Sequence, residues 1–332
     1  MKALLLDAQA PIETRPLRST EVPDPQPAPG EIRVRVTACG ICRTDLHVIE
    51  GDLEPELMPV VPGHQVVGVV DVCDEAAGRF KPGDRVGIAW VHSTCGVCAF
   101  CVSGRENLCA ASLYTGYHRH GGYAELAVAP EAYAYALPPG LDDAQTAPLL
   151  CAGIIGYRAL SRAEVPAGGS LLLVGFGSSA HVVLQIARHR GHHVHVLTRG
   201  EGHRRLAREM GAEWVGGPGD SPRDPVDSAI VFAPAGDTVP AALEAIGPGG
   251  TVALAGIHMS AIPELDYERH LFHEKRLQSV EANTREDGRA LLAEAARIPI
   301  LPRVTRFPLA RANEALLALS RDGIDGSGVL IV

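Results

Sequence analysis

Cys95, Cys98, Cys101 and Cys109 fall in the pattern C-x2-C-x2-C-x7-C. Four thiolates in one short loop can enclose a tetrahedral Zn²⁺ and leave no coordination position open, which suits a structural site rather than a catalytic one. Disulfides and buried free thiols are the competing readings. Cysteines packed this closely favour the metal, and a lobe over residues 92–112 with little core of its own would depend on it to fold.

A second set is dispersed. Cys42 lies in CGICRTDLH (residues 39–47), His64 in Pro62-Gly63-His64-Gln65, and Cys151 in Leu149-Leu150-Cys151-Ala152-Gly153. Spacing alone does not unite them, because isolated cysteines and histidines usually belong to the core or the surface.

A third set is Gly175-Phe176-Gly177-Ser178-Ser179-Ala180, a G-x-G-x-x-A turn. It directly follows an apolar strand and opens a helix, the context a dinucleotide fingerprint requires. The glycines allow a tight turn and close approach of a pyrophosphate to the helix N-terminus, and a small third residue permits close packing. Further on, where an NAD site places Asp or Glu for the ribose 2′-hydroxyl, the chain has Thr198-Arg199-Gly200. No carboxylate repels a 2′-phosphate there and Arg199 offers it a charged partner, so NADP(H) is favoured over NAD(H). His203, Arg204 and Arg205 follow, either as further support or as a solvated helix face.

These residues need two kinds of scaffold. Residues 1–151 read as β-rich. Glu31 to Ala38 alternates apolar and polar, Gln65 to Val72 and Tyr123 to Val128 are further strand candidates, and Pro–Gly turns punctuate them. Many short strands with frequent turns predict a barrel-like domain. From residue 152 to 281 strands alternate with helices: strands at 170–174, 194–197, 228–232 and 251–255, helices at 178–189 and 201–210. That rhythm predicts right-handed βαβ units and a doubly wound parallel sheet. Residues 282–332 carry one helix, 286–296, and are expected to return to the first domain.

The 332 residues leave room for two domains. With 46% hydrophobic and 21% charged residues the balance is that of a globular protein, and a net charge of −9 argues against nucleic acid or an anionic membrane as the main partner. Asp7 stops the first apolar run too early for a signal peptide, and no apolar stretch reaches the roughly 18 residues of a membrane span. A cytoplasmic location with reduced thiols is expected.

CGICRTDLH, VPGHQVVGVV, the four-cysteine lobe ending in GRENLC, and LLCAG occur in that order, followed by the nucleotide turn. In this the chain resembles the zinc-containing medium-chain alcohol dehydrogenases of bacterial type, over nearly its whole length. The resemblance implies a GroES-like catalytic domain beside a Rossmann domain. It also implies a homodimer or homotetramer and two zinc ions per chain. Carried over residue by residue, Cys42, His64 and Cys151 correspond to the catalytic zinc ligands, an open set that leaves a fourth position for water or substrate. Asp45 matches the carboxylate that orients the histidine ligand, with a turn cap as its alternative role. Thr44 and His47 match a proton relay, since imidazole is the side chain that exchanges protons near neutral pH. Arg43 matches the arginine that reaches the pyrophosphate.

There are departures from the family pattern. Gln65 stands where the family usually has glutamate. Ser327, in Gly326-Ser327-Gly328, replaces a second arginine, leaving backbone amides there as candidates for phosphate. Trp90 lies where relatives place an aromatic residue over the substrate, and its bulk is expected to favour small or slender alcohols. Cys39 and Cys73 are read as structural, and His118 and His120 as solvent-facing. The implied reaction is hydride transfer between an alcohol and its aldehyde or ketone. Reduction of activated C=C bonds or quinones on the same fold is the alternative, and a non-catalytic nucleotide-binding protein is a third.

Overall fold

Glu31–Ala38 becomes the first part of a longer strand, Glu31–Ile41, that organises one compact unit. The computed structural model describes residues 1–332, and this unit comprises Met1–Cys151 with Ala282–Val332. One edge of the strand pairs antiparallel with Gln65–Cys73. The other is shared: Leu126–Pro130 pairs with its first half and Ser327–Ile331 with its end. Val304–Pro308, Arg85–Ile88 and Ala134–Ala136 complete a seven-stranded sheet. The register slips at Arg33/Val34 and at Val36/Ala38; such bulges bend a strand and increase its twist, so one strand can serve several partners. Ile32, Val34, Val36 and Ile41 point into the core with Leu46 and Ile49.

Two segments differ from the sequence reading. The strand expected from Tyr123 begins only at Leu126, because the preceding backbone is engaged elsewhere: Tyr123 N–H donates to the Pro62 carbonyl, and its own carbonyl accepts from Leu4. A helix, Arg43–Glu50, follows the central strand where none was anticipated. It starts with a reciprocal cap between Cys42 and Asp45, and it buries Thr44, Asp45, Leu46, Val48 and Ile49.

The second unit, Ala152–Glu281, is built on a six-stranded sheet. Its order is Trp214–Gly216, His193–Leu197, Ser170–Val174, Val226–Val231, Ile246–Leu254, Arg276–Ser279, all parallel. Leu171, Leu172 and Leu173 are essentially inaccessible, as a strand covered on both faces must be. The strand order reverses between Ser170–Val174 and Val226–Val231, the switch point outside which open α/β sheets bind ligands. The helix Ser178–His189 starts there. Two helices, Thr238–Ala245 and Ala312–Ser320, lack the strongly polar face that makes a helix conspicuous in sequence.

Candidate active site and metal centres

The strand Glu31–Ile41 delivers Cys42, and the turn before Gln65–Cys73 delivers His64. Cys151 follows the short 3₁₀ segment Ala147–Leu150. Their ligand atoms lie within 4.8 Å of one another although 109 residues separate the first from the last. Cys42 Sγ is 3.4 Å from His64 Nε2. A tetrahedral zinc with Zn–S of about 2.3 Å and Zn–N of about 2.0 Å has ligand–ligand edges of about 3.5–3.8 Å, so the donor set and its spacing fit zinc. His64 is buried. Burial opposes its charged form, but the Cys42 thiolate and Asp45 push its pKa up to about 10. The neighbouring Cys151 thiol, then burial, hold the Cys42 thiol well above its ordinary value. Protons held on Cys42 and His64 are what a divalent cation displaces.

Asp45 serves both roles considered for it. One carboxylate oxygen accepts from Cys42 N–H at 2.8 Å, closing the helix cap, and the other lies 3.2 Å from His64 Nδ1. The histidine's other nitrogen is thereby directed at the cysteines. Gly63 makes this turn possible: its φ is +94°, and a Cβ there would meet the Tyr123 ring at 2.3 Å. Thr44 is buried, and His47 Nδ1 is engaged by Asp52 at 2.7 Å. Arg43 pairs with Asp322 on the exposed surface at 2.5 Å, so a pyrophosphate there would have to displace Asp322.

Trp90 meets His64 edge-on, with centroids 4.9 Å apart, and stacks on Tyr114 at 4.8 Å and on Tyr117 at 6.1 Å. His118 contacts both tyrosines; the expectation that it faces solvent is therefore corrected, because the rings bury one side of its imidazole. His120 is exposed, and its Nδ1 accepts from Val61 N–H at 3.2 Å. Tyr114 and Tyr117 are the site-flanking residues that sequence reasoning missed. Their only signal is aromatic density beside the Gly-rich turn. Gln65 is buried with its amide nitrogen unpartnered. The Ser327 amide is not available to phosphate: it donates to the Arg303 carbonyl at 2.9 Å within the sheet.

In the lobe, the Sγ atoms of Cys95 and Cys101 are 3.8 Å apart and those of Cys98 and Cys101 are 3.6 Å apart. These are tetrahedral zinc edges, far from a disulfide's roughly 2.05 Å. All four ligand atoms lie within 4.8 Å of one another. Backbone N–H groups of Val97 and Cys98 bring Cys95 down to about 6, pre-setting a thiolate. The short helix here, Ala99–Val102, buries no side chain.

The lobe is tied down at both ends. Cys101 Sγ lies 3.3 Å from the Thr94 hydroxyl, which bonds the Tyr133 hydroxyl at 2.7 Å. Arg285 stacks on the Tyr133 ring and donates to the buried Glu106 through both its backbone N–H and its guanidinium. Glu106→Ala should cost about 2–3 kcal/mol, since it strands a half-buried guanidinium and an unmet helix N–H. Chemical denaturation at constant m-value, together with faster zinc loss to a chelator, checks this.

In the second unit, Gly175 turns with φ +88°, where a Cβ would lie 2.9 Å from Ala233 N. Gly177 has open space and caps the helix beginning at Ser178 and Ser179, and Ala180 is fully buried. An unobstructed helix N-terminus behind a tight turn fits a pyrophosphate. Thr198 is buried, and its N–H donates to the Gly216 carbonyl at 3.0 Å. Arg199 is exposed. Arg204 is not a free surface charge: it caps the carbonyls of Thr198 and Arg199 and pairs with Glu201, leaving Arg199 as the uncommitted cation.

Residues 28–139 match the alcohol dehydrogenase GroES-like domain family, and residues 180–297 match the zinc-binding dehydrogenase family. The chain is 49% identical, over all of its length and 97% of the relative's, to probable alcohol dehydrogenase AdhA of Mycobacterium tuberculosis. It is similar in structure to a cinnamyl alcohol dehydrogenase of Sorghum bicolor: TM-score 0.90, 26% identity, 99% of this chain and 97% of that one. It also resembles the acetophenone reductase of Geotrichum candidum solved with NAD: TM-score 0.87, 26% identity, 100% and 97%.

Proposed function

The chain belongs to the zinc-containing medium-chain alcohol dehydrogenase family, an oxidoreductase acting on CH–OH donors, and from that premise we propose the assignment of its site. Cys42, His64 and Cys151 hold the catalytic zinc, and Cys95, Cys98, Cys101 and Cys109 hold a structural one, giving two per chain. The observation that most directly supports this is the convergence of the first three residues, with Asp45 behind His64. Bound zinc supplies a Lewis acid for the substrate oxygen, and the bound nicotinamide supplies the hydride donor or acceptor.

The chain's own residues do the rest. Asp45 fixes the orientation of His64. Thr44 and His47 pass the substrate proton toward solvent, with Asp52 engaging His47 at Nδ1. Trp90, set edge-on to His64 and stacked on Tyr114, narrows the approach and favours small or slender alcohols and aldehydes. A panel of linear, branched and aromatic alcohol–carbonyl pairs tests this, with enals and quinones included. Faster turnover of bulky ketones would overturn the role of Trp90, and turnover of C=C bonds or quinones alone would overturn the alcohol reading.

NADP(H) is the favoured cofactor. Gly175, Gly177, Ser178, Ser179 and Ala180 take the pyrophosphate, Arg43 assists, and Arg199 beside Thr198 meets the 2′-phosphate. Thr198→Asp should shift the NADPH/NADH ratio of dissociation constants, measured by fluorescence titration, by at least about tenfold toward NADH, because it sets a carboxylate against the phosphate. An unchanged ratio would place specificity elsewhere.

The protein acts as a homo-oligomer in the cytoplasm. The eight cysteines are unpaired, and no helix is long and apolar enough to cross a membrane. The strand Arg276–Ser279 has a neighbour on one side only, and the segment leading to it exposes Ile257, Ile262, Tyr267 and Phe272. Sedimentation velocity should show a dimer or tetramer; a monomer at micromolar concentration would overturn this.

A further inference from the structure

The connection from the edge strand Trp214–Gly216 to the next strand in sequence, Val226–Val231, which lies three places along the sheet, contains no helix, unlike the other connections of the six-stranded sheet. The consequence falls on one face of that sheet. Val194 and Val196 point to one side and are fully buried. His193 and His195 alternate with them and stand on the side of Leu172, the register partner of His195. On that side Val239, Ala242 and Leu243 of the helix Thr238–Ala245 join the cluster around Leu172 and Val174. No helix follows Trp214–Gly216 to cover His195 and Trp214. A hollow of about 300 Å³ remains, lined by His193, His195, Glu213, Trp214 and Arg223, with Ser170 at its edge. It lies at the N-terminal ends of the strands, whereas the Gly175–Ala180 turn lies at their C-terminal ends. A five-residue strand separates the two by about 16 Å.

The chemistry of the lining is specific. His193 Nδ1 is 2.7 Å from a Glu213 oxygen, so that carboxylate is already committed. His195 Nδ1 is enclosed without a partner, and burial lowers the pKa of its imidazole. A neutral imidazole with no acceptor at Nδ1 keeps its proton on Nε2, which is left to donate. Arg223 enters no ion pair or hydrogen bond, and an indole lies beside these donors. Metal binding is the competing use of two histidines and a carboxylate, but their ligand atoms do not gather as those of the two cysteine sites do.

We propose that this hollow is a second small-molecule site, which takes a planar aromatic carboxylate with its ring against Trp214 and its carboxylate between Arg223 and His195. Aromatic stacking and a charge-assisted pair supply the recognition. Two carboxylates oppose it: Asp224, exposed beside Arg223, and Glu213, whose charge His193 engages.

The chain has only two tryptophans, so Trp90→Phe leaves Trp214 as the sole reporter. In the zinc-loaded Trp90→Phe protein, benzoate should change Trp214 emission saturably, and benzamide should do so far more weakly. Adding Arg223→Ala should weaken benzoate binding by on the order of tenfold or more, and adding Asp224→Asn should tighten it. Equal responses to benzoate and benzamide, or an unchanged response in the Arg223→Ala protein, would overturn the proposal. So would saturation by Ni²⁺ with none by benzoate. If Trp90→Phe does not fold, calorimetric titration of the wild type against Arg223→Ala carries the same comparison.

Discussion

Cys42→Ser should leave one zinc per chain in place of two and lower kcat/KM by at least about a thousandfold. Serine nearly preserves the side-chain volume, the bond from the Cys42 backbone N–H to Asp45 is untouched, and a serine hydroxyl takes over the sulfur's half of the reciprocal cap, so the helix Arg43–Glu50 keeps its start. What is lost is one of three donors, and a neutral hydroxyl binds zinc far less well than a thiolate. Lewis-acid assistance at a reacting oxygen is worth several kcal/mol, and each 1.4 kcal/mol or so is tenfold in rate. Metal analysis beside steady-state kinetics on protein with unchanged circular dichroism checks the result. Turnover near that of the wild type would sink the zinc assignment. Asp45→Asn should act more gently, lowering zinc affinity or activity by about 10–100-fold, because it loosens His64 without removing a donor.

Cys98→Ser should also leave one zinc per chain, with the opposite consequence. The lobe's helix Ala99–Val102 buries nothing, and Val97 and Val102 are 82% and 72% exposed, so no apolar core stands in for the metal. Structural zinc contributes folding free energy outright, on the order of 10 kcal/mol in small metal-folded peptides. The variant should therefore melt at a lower temperature and be cut by protease within residues 92–112. Activity per remaining zinc should stay near the wild-type value, because no residue of this lobe belongs to the Cys42–His64–Cys151 set. Turnover abolished in protein that still folds and keeps its second zinc would show that the lobe takes part in catalysis.

The two substitutions differ in how visible their sites are in sequence. The lobe is legible because all four donors fall within a single loop, so spacing alone states its geometry. The G-x-G-x-x-A turn is legible for the same reason: strand, turn and helix are consecutive, and Gly175 needs its positive φ whatever the rest of the chain does. The open site is different. Cys42, His64 and Cys151 are ordinary residues in isolation, and only the order of the motifs around them, read as a family resemblance, suggests that they meet.

Local pattern also misleads where specific contacts, near or distant in sequence, claim a backbone or side chain. Tyr123 has strand-like neighbours, yet Leu4 and Pro62 take its hydrogen bonds. Arg204 looks like one basic residue in a charged helix, but it folds back on the Thr198 and Arg199 carbonyls. His118, in a Gly-rich turn, has every local mark of a surface residue until Tyr114 and Tyr117 close around it.

What the sequence by itself determined is therefore short-range: the four-cysteine lobe, the nucleotide turn, the period-2 strand at Glu31–Ala38 and the βαβ rhythm after residue 152. Each is written in neighbouring residues, where periodicity and ligand spacing act directly. Only the tertiary structure decided that three distant donors converge, that Asp45 both caps a helix and holds His64, that Arg43 pairs with Asp322, and that Arg285 binds the lobe through Glu106. Apart from the Asp45 cap, these contacts span from about twenty to nearly three hundred residues within the first unit, and they arise from folding its seven-stranded sheet, a constraint that no local pattern encodes.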